Sequence, residues 1–181
     1  MGRASHTHDR GPGDPGELAF LVQNLIVHRG EGERFGCAIP EERLREDAES
    51  RYVSLILRIR RERRDAPLTE PRAPGDRFVG TCRDFSLLHC SLLRATGTPA
   101  RIRRGFATYF LDDWHEDHWV TEYRLPDGSW RLIDPQVLHP PYNLTFDPTG
   151  VRRSPTTRRS RRRTLTLVDA VVAAGSAVTL R

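Results

Sequence analysis

One stretch of the chain, between Thr81 and Pro99, carries the signals for both ends of a single helix. Thr81 followed three residues later by Asp84 is a variant of the capping box, which satisfies the free N–H groups at the start of a helix. The apolar residues that follow recur with helical spacing. Gly97 suits the left-handed position after a helix end, and Pro99 prevents the helix from resuming. The pattern predicts a helix that begins at Cys82 and ends just before Gly97.

Cys82 is a candidate nucleophile because of its place at the start of this helix. A thiol there meets unpaired backbone N–H groups and the positive end of the helix dipole, which both favour the thiolate. An isolated cysteine at a helix start is nevertheless more often a small buried apolar residue, and we assign Cys37 and Cys90 to that class. Cys82 therefore counts as a nucleophile only together with suitable partners.

Two such partners lie on a predicted β-hairpin. Residues 118–124 and 130–134 are rich in β-branched and aromatic residues, and the turn signal at 126–129 separates them. His118 is predicted as the first residue of one strand and Asp134 as the end of the other. A two-residue loop would place these side chains on opposite faces, because side chains alternate along a strand. We therefore predict an odd-length loop or a bulge, which sets Asp134 opposite residue 120 or 122 and on the same face as His118.

Over residues 78–136 this order of residues resembles the core of the transglutaminase-like superfamily. The motifs that carry the resemblance are Gly80-x-Cys82-x-Asp84-Phe85, Gly97-Thr98-Pro99-Ala100-Arg101 with Gly105, His118-Trp119-Val120-x-Glu122, and Trp130-x-x-Ile133-Asp134-Pro135. The resemblance implies a papain-like α+β fold, with a helical N-terminal part packed on a small antiparallel sheet. It also implies a catalytic triad of Cys82, His118 and Asp134. The chain is closer to the compact bacterial branch than to the animal crosslinking enzymes, since their flanking β domains and acidic calcium loop are lacking.

The reaction implied is cysteine-dependent acyl transfer on amide bonds through a thioester, as in a peptidase, an amidase or a transglutaminase. His118 takes the Cys82 proton, Asp134 accepts the other ring N–H, and the backbone N–H of Cys82 is the first candidate oxyanion donor. The triad does not distinguish water from an amine as the second nucleophile. Two alternatives stay open: a catalytically inactive binding module with the same fold, and a peptide N-glycanase-like amidase, although the Cys-x-x-Cys pairs of its usual zinc site are lacking.

Length and composition fit one catalytic domain. With 181 residues, of which 37% are hydrophobic, the chain is long enough for a single ordinary core. We predict a disordered N-terminus over 1–16, the catalytic domain over 17–148 and a disordered Arg-rich tail over 149–181. Inside the domain, helices are predicted over 17–28 and 40–61, and a strand over 101–110.

The basic charge of the chain belongs to the tail. Residues 149–181 hold eight arginines and one aspartate, so of the total net charge of +5 the tail carries +7 and residues 1–148 carry −2. A basic nucleic-acid-binding face on the catalytic domain is therefore not expected. Nucleic acid is a possible partner only through the Arg-rich tail.

The remaining sequence features concern the surroundings of the domain. Three cysteines are too few for a disulfide framework and no secretory signal pattern is present, so the expected compartment is the cytoplasm. The apolar segment 18–27 is too short for a membrane span, and no membrane partner is expected. His115 and His118 among the carboxylates of 112–117 are a weak metal signal, and neither metal nor cofactor is expected. A protein or peptide is the expected substrate, and the oligomeric state is not predicted.

Overall fold

The structure, a computed structural model, describes residues 13–111, 115–138, 142, 144 and 146–150. In chain order its elements are α1 (Pro15–Leu25), β1 (Ile26–His28), α2 (Glu41–Ala48), α3 (Val53–Arg63), β2 (Phe78–Gly80), α4 (Cys82–Ala95), β3 (Ala100–Ala107), β4 (Glu116–Arg124) and β5 (Trp130–Ile133). Single 3-10 turns occur at Glu33–Phe35, Pro74–Asp76 and Pro148–Gly150. The fold is α+β, as predicted.

Two sheets organise the domain. β3, β4 and β5 form an antiparallel sheet in that order, and α4 packs against it. β1 and β2 form a separate parallel pair. The apolar core lies around α4 in two main groups, Val22, Leu25, Ile26, Ile56, Phe78, Phe85 and Leu88 in one, and Ala19, Cys90, Leu93, Ala100, Tyr123 and Ile133 in the other.

The first helix differs from the prediction over 17–28. Asp14 is its N-cap, with a carboxylate that accepts the N–H groups of Gly16 (2.9 Å) and Glu17 (3.0 Å). The helix therefore begins at Pro15 and ends at Leu25. Residues 26–28 are a strand, because their pairing with β2 overrides the local helical pattern.

The single helix predicted over 40–61 is wrong, since the chain forms two helices there, α2 and α3. The buried carboxylate of Asp47 accepts two hydrogen bonds from Arg63, at 2.8 and 2.5 Å, and one from the N–H of Val79 at 2.6 Å. In one continuous helix residues 16 apart would be separated by about 24 Å. The chain must therefore turn back between α2 and α3, and Tyr52 at the turn is 69% exposed.

The strands of the antiparallel sheet differ from the prediction at their ends. β4 begins at Glu116, two residues before His118, and β3 ends at Ala107 rather than at residue 110. The domain boundaries stay predictions, since residues 1–12 and 151–181 lie outside the described residues. Within the described residues, the helices are each too short or too polar to cross a bilayer.

Candidate active site

Cys82 is the first residue of α4, as predicted. The capping box is present, with an Asp84 carboxylate that accepts the N–H (2.8 Å) and the hydroxyl (3.0 Å) of Thr81. The helix ends at Ala95, and Gly97 follows with a φ of 88°, the left-handed conformation predicted for it. Cys82 is partly exposed and lies at the start of a helix whose two ends are both predicted from the sequence.

His118 and Asp134 lie together because the hairpin has the predicted odd-length loop. The register pairs Arg124 with Trp130 and Thr121 with Ile133, which leaves a five-residue loop at 125–129. Continued by one residue, this register sets Asp134 opposite Val120, on the same face as His118. The Nε2 atom of His118 is 2.7 Å from the Oδ2 atom of Asp134, and both side chains are buried.

The contact between α4 and β4 brings the thiol to the imidazole. One turn after Cys82, the hydroxyl of Ser86 donates to the carbonyl of Trp119 at 2.8 Å, and the hydroxyl of Thr121 donates to the carbonyl of Ser86 at 3.3 Å. The side chain of Cys82 interacts with that of His118 and contributes to its pKa, so the two lie close together. The Nε2 atom of His118 is bound to Asp134, which leaves Nδ1 for the interaction with the thiol. All three predicted residues are thus brought together.

The electrostatics of His118 follow from its two neighbours. Burial disfavours the charged imidazolium and lowers the pKa of His118. The charge and the hydrogen bond of Asp134, together with the interaction with Cys82, outweigh burial and raise that pKa to about 10. At neutral pH His118 therefore holds a proton on each ring nitrogen and is a cation beside the sulfur.

Sequence reasoning missed the aromatic wall of the site, which consists of Tyr109 and Phe110. The hydroxyl of Tyr109 donates to Oδ2 of Asp134, the oxygen that also binds His118. The ring centroids of Tyr109 and Phe110 lie 5.9 and 4.9 Å from that of His118, each in an edge-to-face arrangement. Burial and the carboxylate raise the pKa of Tyr109 well above its usual value, so it stays a neutral donor. The sequence predicts that both residues lie in a strand. In the structure β3 ends at Ala107, and Tyr109 and Phe110 follow it and contact the ring of His118.

A second wall was also missed, and we call His28 and Glu31 the β1 wall. A carboxylate oxygen of Glu31 accepts hydrogen bonds from the amide of Gln136 at 3.2 Å and from the hydroxyl of Tyr142. The N–H of Gln136 in turn donates to Oδ1 of Asp134 at 2.9 Å. Glu31 of the β1 wall is therefore connected to Asp134 through Gln136.

The two other cysteines differ from each other. Cys90 is 3% exposed, as predicted for a buried apolar residue, and burial raises its thiol pKa. Cys37 is partly exposed, which corrects the prediction that it is buried. It lies two residues after the 3-10 turn Glu33–Phe35.

Among the described residues there is no group of three or more His, Cys, Asp and Glu side chains arranged to hold a metal ion. Asp112 and Asp113, which contribute to the acidic cluster near His115, lie outside the described residues.

The fold and the site together define a class of protein. A cysteine at a helix start and a histidine–aspartate pair on an adjacent antiparallel sheet form the arrangement that cysteine-based acyl chemistry uses. Residues 46–135 match the family model of the transglutaminase-like superfamily, and the chain carries a domain of this superfamily. The resemblance seen in the sequence is thereby confirmed. Members of the superfamily are often cysteine peptidases or acyltransferases. A search among curated proteins found no match.

Proposed function

We propose that the domain transfers acyl groups from amide bonds in proteins or peptides through a thioester on Cys82. Two observations support this proposal: Cys82 interacts with His118, and His118 is hydrogen-bonded to Asp134 at 2.7 Å. Sulfur attacks the amide carbonyl, His118 gives its Nδ1 proton to the leaving amine, and the acyl group remains on sulfur. Water or an amine then releases it, after His118 has taken the proton of that second nucleophile.

The role of Asp134 in this reaction is to hold His118. Its carboxylate accepts the Nε2–H of His118, which fixes the ring with Nδ1 toward the sulfur, and it stabilises the imidazolium. Two further donors, Tyr109 and the N–H of Gln136, fix the carboxylate itself. Since the pair is buried, water does not compete for these hydrogen bonds.

The first experiment measures alkylation of each cysteine by iodoacetamide between about pH 5.5 and 8.5, resolved by mass spectrometry. We expect Cys82 to react rapidly already at the acid end, because protonated His118 lies beside its sulfur. His118→Ala removes that cation and slows the labelling of Cys82. Partly exposed Cys37 is the reference for an ordinary thiol and buried Cys90 for an inaccessible one.

The second arm uses a peptide library with and without a primary amine, analysed by mass spectrometry. Cleaved peptides alone identify a peptidase, loss of ammonia from side-chain amides identifies an amidase, and amine adducts identify a transglutaminase. The proposal fails if Cys82 reacts at the rate of Cys37 at every pH and independently of His118. A domain that binds peptides without reacting would then be the inactive binding module.

A further inference from the structure

The β1 wall lies beside the start of α4 because β1 and β2 run parallel. The register pairs His28 with Gly80, and the N–H of Arg29 donates to the carbonyl of Gly80 at 2.8 Å. Both strands therefore end at the same edge, where α4 begins. Cys82 follows Gly80 by two residues. His28 thus ends its strand next to the nucleophile.

The side chain of His28 is on the face of β1 that α4 covers. Side chains alternate along a strand, so Ile26 and His28 share one face. A Cβ atom placed on Gly80 would lie 3.0 Å from a methyl group of Ile26 and 3.0 Å from the Cβ atom of Asp84. The shared face is therefore turned toward the first turn of α4, which contains Cys82.

Two neighbours of the Nδ1 atom of His28 bear on where the proton of the ring lies. Nδ1 accepts the N–H of Gly30 at 3.3 Å, and it lies 3.8 Å from a carboxylate oxygen of Glu31, beyond hydrogen-bond distance. The hydrogen bond from Gly30 favours the neutral ring with its proton on Nε2. Within the described part of the chain Nε2 makes no hydrogen bond, and the side chain is 24% exposed. His28 thus presents an N–H donor that is still available to a ligand.

His28 is neutral when His118 is charged. Burial lowers the pKa of His28, the carboxylates of Glu31 and Glu116 raise it, and the charges of His118 and Arg29 lower it further. The net shift is downward from the ordinary value of about 6.5. The charge of His118 thus acts on the ring of His28.

Acyl transfer needs this kind of donor. As sulfur bonds to the carbonyl carbon, the electron pair of the C=O bond moves to oxygen, and two hydrogen-bond donors usually hold the resulting oxyanion. The N–H of Cys82, at the start of α4, is one donor. We propose that the Nε2–H of His28 is the second, so that His28 is a catalytic residue of the acylation step. This inference rests on the proposed function, and His28 lies outside residues 46–135, which match the family model.

The test compares two reactions of Cys82 that differ in their need for an oxyanion. With p-nitrophenyl acetate, sulfur bonds to the carbonyl carbon, the oxyanion collapses, p-nitrophenolate leaves with its electron pair, and an acetyl thioester remains. With iodoacetamide, sulfur displaces iodide from a CH₂ group and no oxyanion forms. We expect His28→Leu to slow acetylation about 100-fold, measured as the initial burst of p-nitrophenolate and as acetyl-Cys82 by mass spectrometry. Alkylation should stay within about twofold of the unchanged protein.

A second pair of variants keeps the test independent of how well His28→Leu folds. In His28→Gln the side-chain amide nitrogen reaches the place of Nε2, whereas in His28→Asn it reaches only the place of Nδ1. We expect His28→Gln to acetylate at least about tenfold faster than His28→Asn. The two amides have the same polarity and charge, so a merely structural role predicts no such difference.

The outcomes separate the two proposals. If Cys82 of the unchanged protein neither alkylates rapidly nor acetylates, the proposed function is wrong and the role of His28 falls with it. If acetylation in His28→Leu and His28→Asn stays within about threefold of the unchanged protein, His28 is not the donor although the proposed function stands. An equal loss of alkylation and acetylation also overturns the inference, because His28 would then act on the Cys82–His118 pair rather than on the oxyanion.

Discussion

His118 and His89 are both buried histidines, with 2% and 0% exposure, yet they are in opposite states. Nε2 of His118 is 2.7 Å from a carboxylate oxygen of Asp134, and Nε2 of His89 is 2.9 Å from the backbone carbonyl of Pro15. The pKa of His118 is raised to about 10, and that of His89 is lowered to about 4. Burial lowers the pKa in both cases, so the difference comes from the partner.

A carbonyl oxygen and a carboxylate oxygen accept nearly the same hydrogen bond. Only the carboxylate adds a full negative charge, and in a buried place that charge is weakly screened. The hydrogen bond to Pro15 and the charge of Asp134 both raise the pKa of His89, but burial outweighs them, so His89 remains a neutral packing residue. The charge of Asp134 reaches both rings, and only His118, which is hydrogen-bonded directly to it, has its pKa raised above neutrality.

The largest effect is expected for Asp134→Asn, which gives His118 a neutral partner like that of His89. We expect acyl transfer to fall by roughly 1,000-fold or more, because the amide neither stabilises the imidazolium nor fixes the ring with Nδ1 toward Cys82. The pKa of His118 should fall from about 10 toward the acid side of neutrality. An NMR titration of the His118 ring and the pH profile of Cys82 alkylation measure both effects. A ring that keeps its high pKa in Asp134→Asn would show that Asp134 is not the source of the charge.

The sequence predicts those parts of this site that depend on residues close together in the chain. The start of α4 follows from Thr81 and Asp84, and the odd-length loop follows from the requirement that His118 and Asp134 share a face. Both inferences use only spacing within one element or one hairpin. For that reason the sequence predicts that Cys82, His118 and Asp134 lie close together, whereas their role as a catalytic triad stays a prediction.

The features that the sequence did not reveal depend on contacts between distant segments. Residues 26–28 become a strand only because β2, about fifty residues later in the chain, pairs with them. The turn between α2 and α3 depends on the bonds of Asp47 to Arg63 and to β2. His28 reaches the site through the first of these contacts, and periodicity in the sequence carries no information on it.

The next prediction uses stability to test the same two histidines. Since the folded pKa of His89 is depressed to about 4, its contribution is fully present above the unfolded value of about 6.5 and is lost as the pH falls through the folded value. This loss amounts to about 3 kcal/mol of the free energy of unfolding. For His118 the folded pKa is raised, so its contribution is present below about pH 6.5 and is lost as the pH rises through about 10.

Urea unfolding at a series of pH values measures how the free energy of unfolding changes with pH on the acid and on the alkaline side. In His89→Leu the loss of stability that His89 causes on the acid side should vanish, while the change on the alkaline side stays. Carboxylates add their own acid dependence, so the quantity to compare is the difference between the unchanged protein and the variant. If that difference is the same at pH 7 and pH 4, within about 1 kcal/mol, His89 does not resist protonation.

The smallest effect concerns Tyr109, the third partner of Asp134. Tyr109→Phe removes one hydrogen bond to Oδ2 of the carboxylate and keeps the ring that packs beside His118. A hydrogen bond to a charged group contributes about 1.5 kcal/mol, so kcat/KM should fall about tenfold. The charge of Asp134 remains, and the pH profile of the reaction should therefore stay where it is while kcat falls.

Tyr52→Phe is the matched control, because Tyr52 is 69% exposed and far from the pair in sequence. A shifted pH profile with an unchanged maximal rate would mean that Tyr109 tunes the charge of the pair rather than its position, and the carboxylate would then need its other donor, the N–H of Gln136, to hold its orientation.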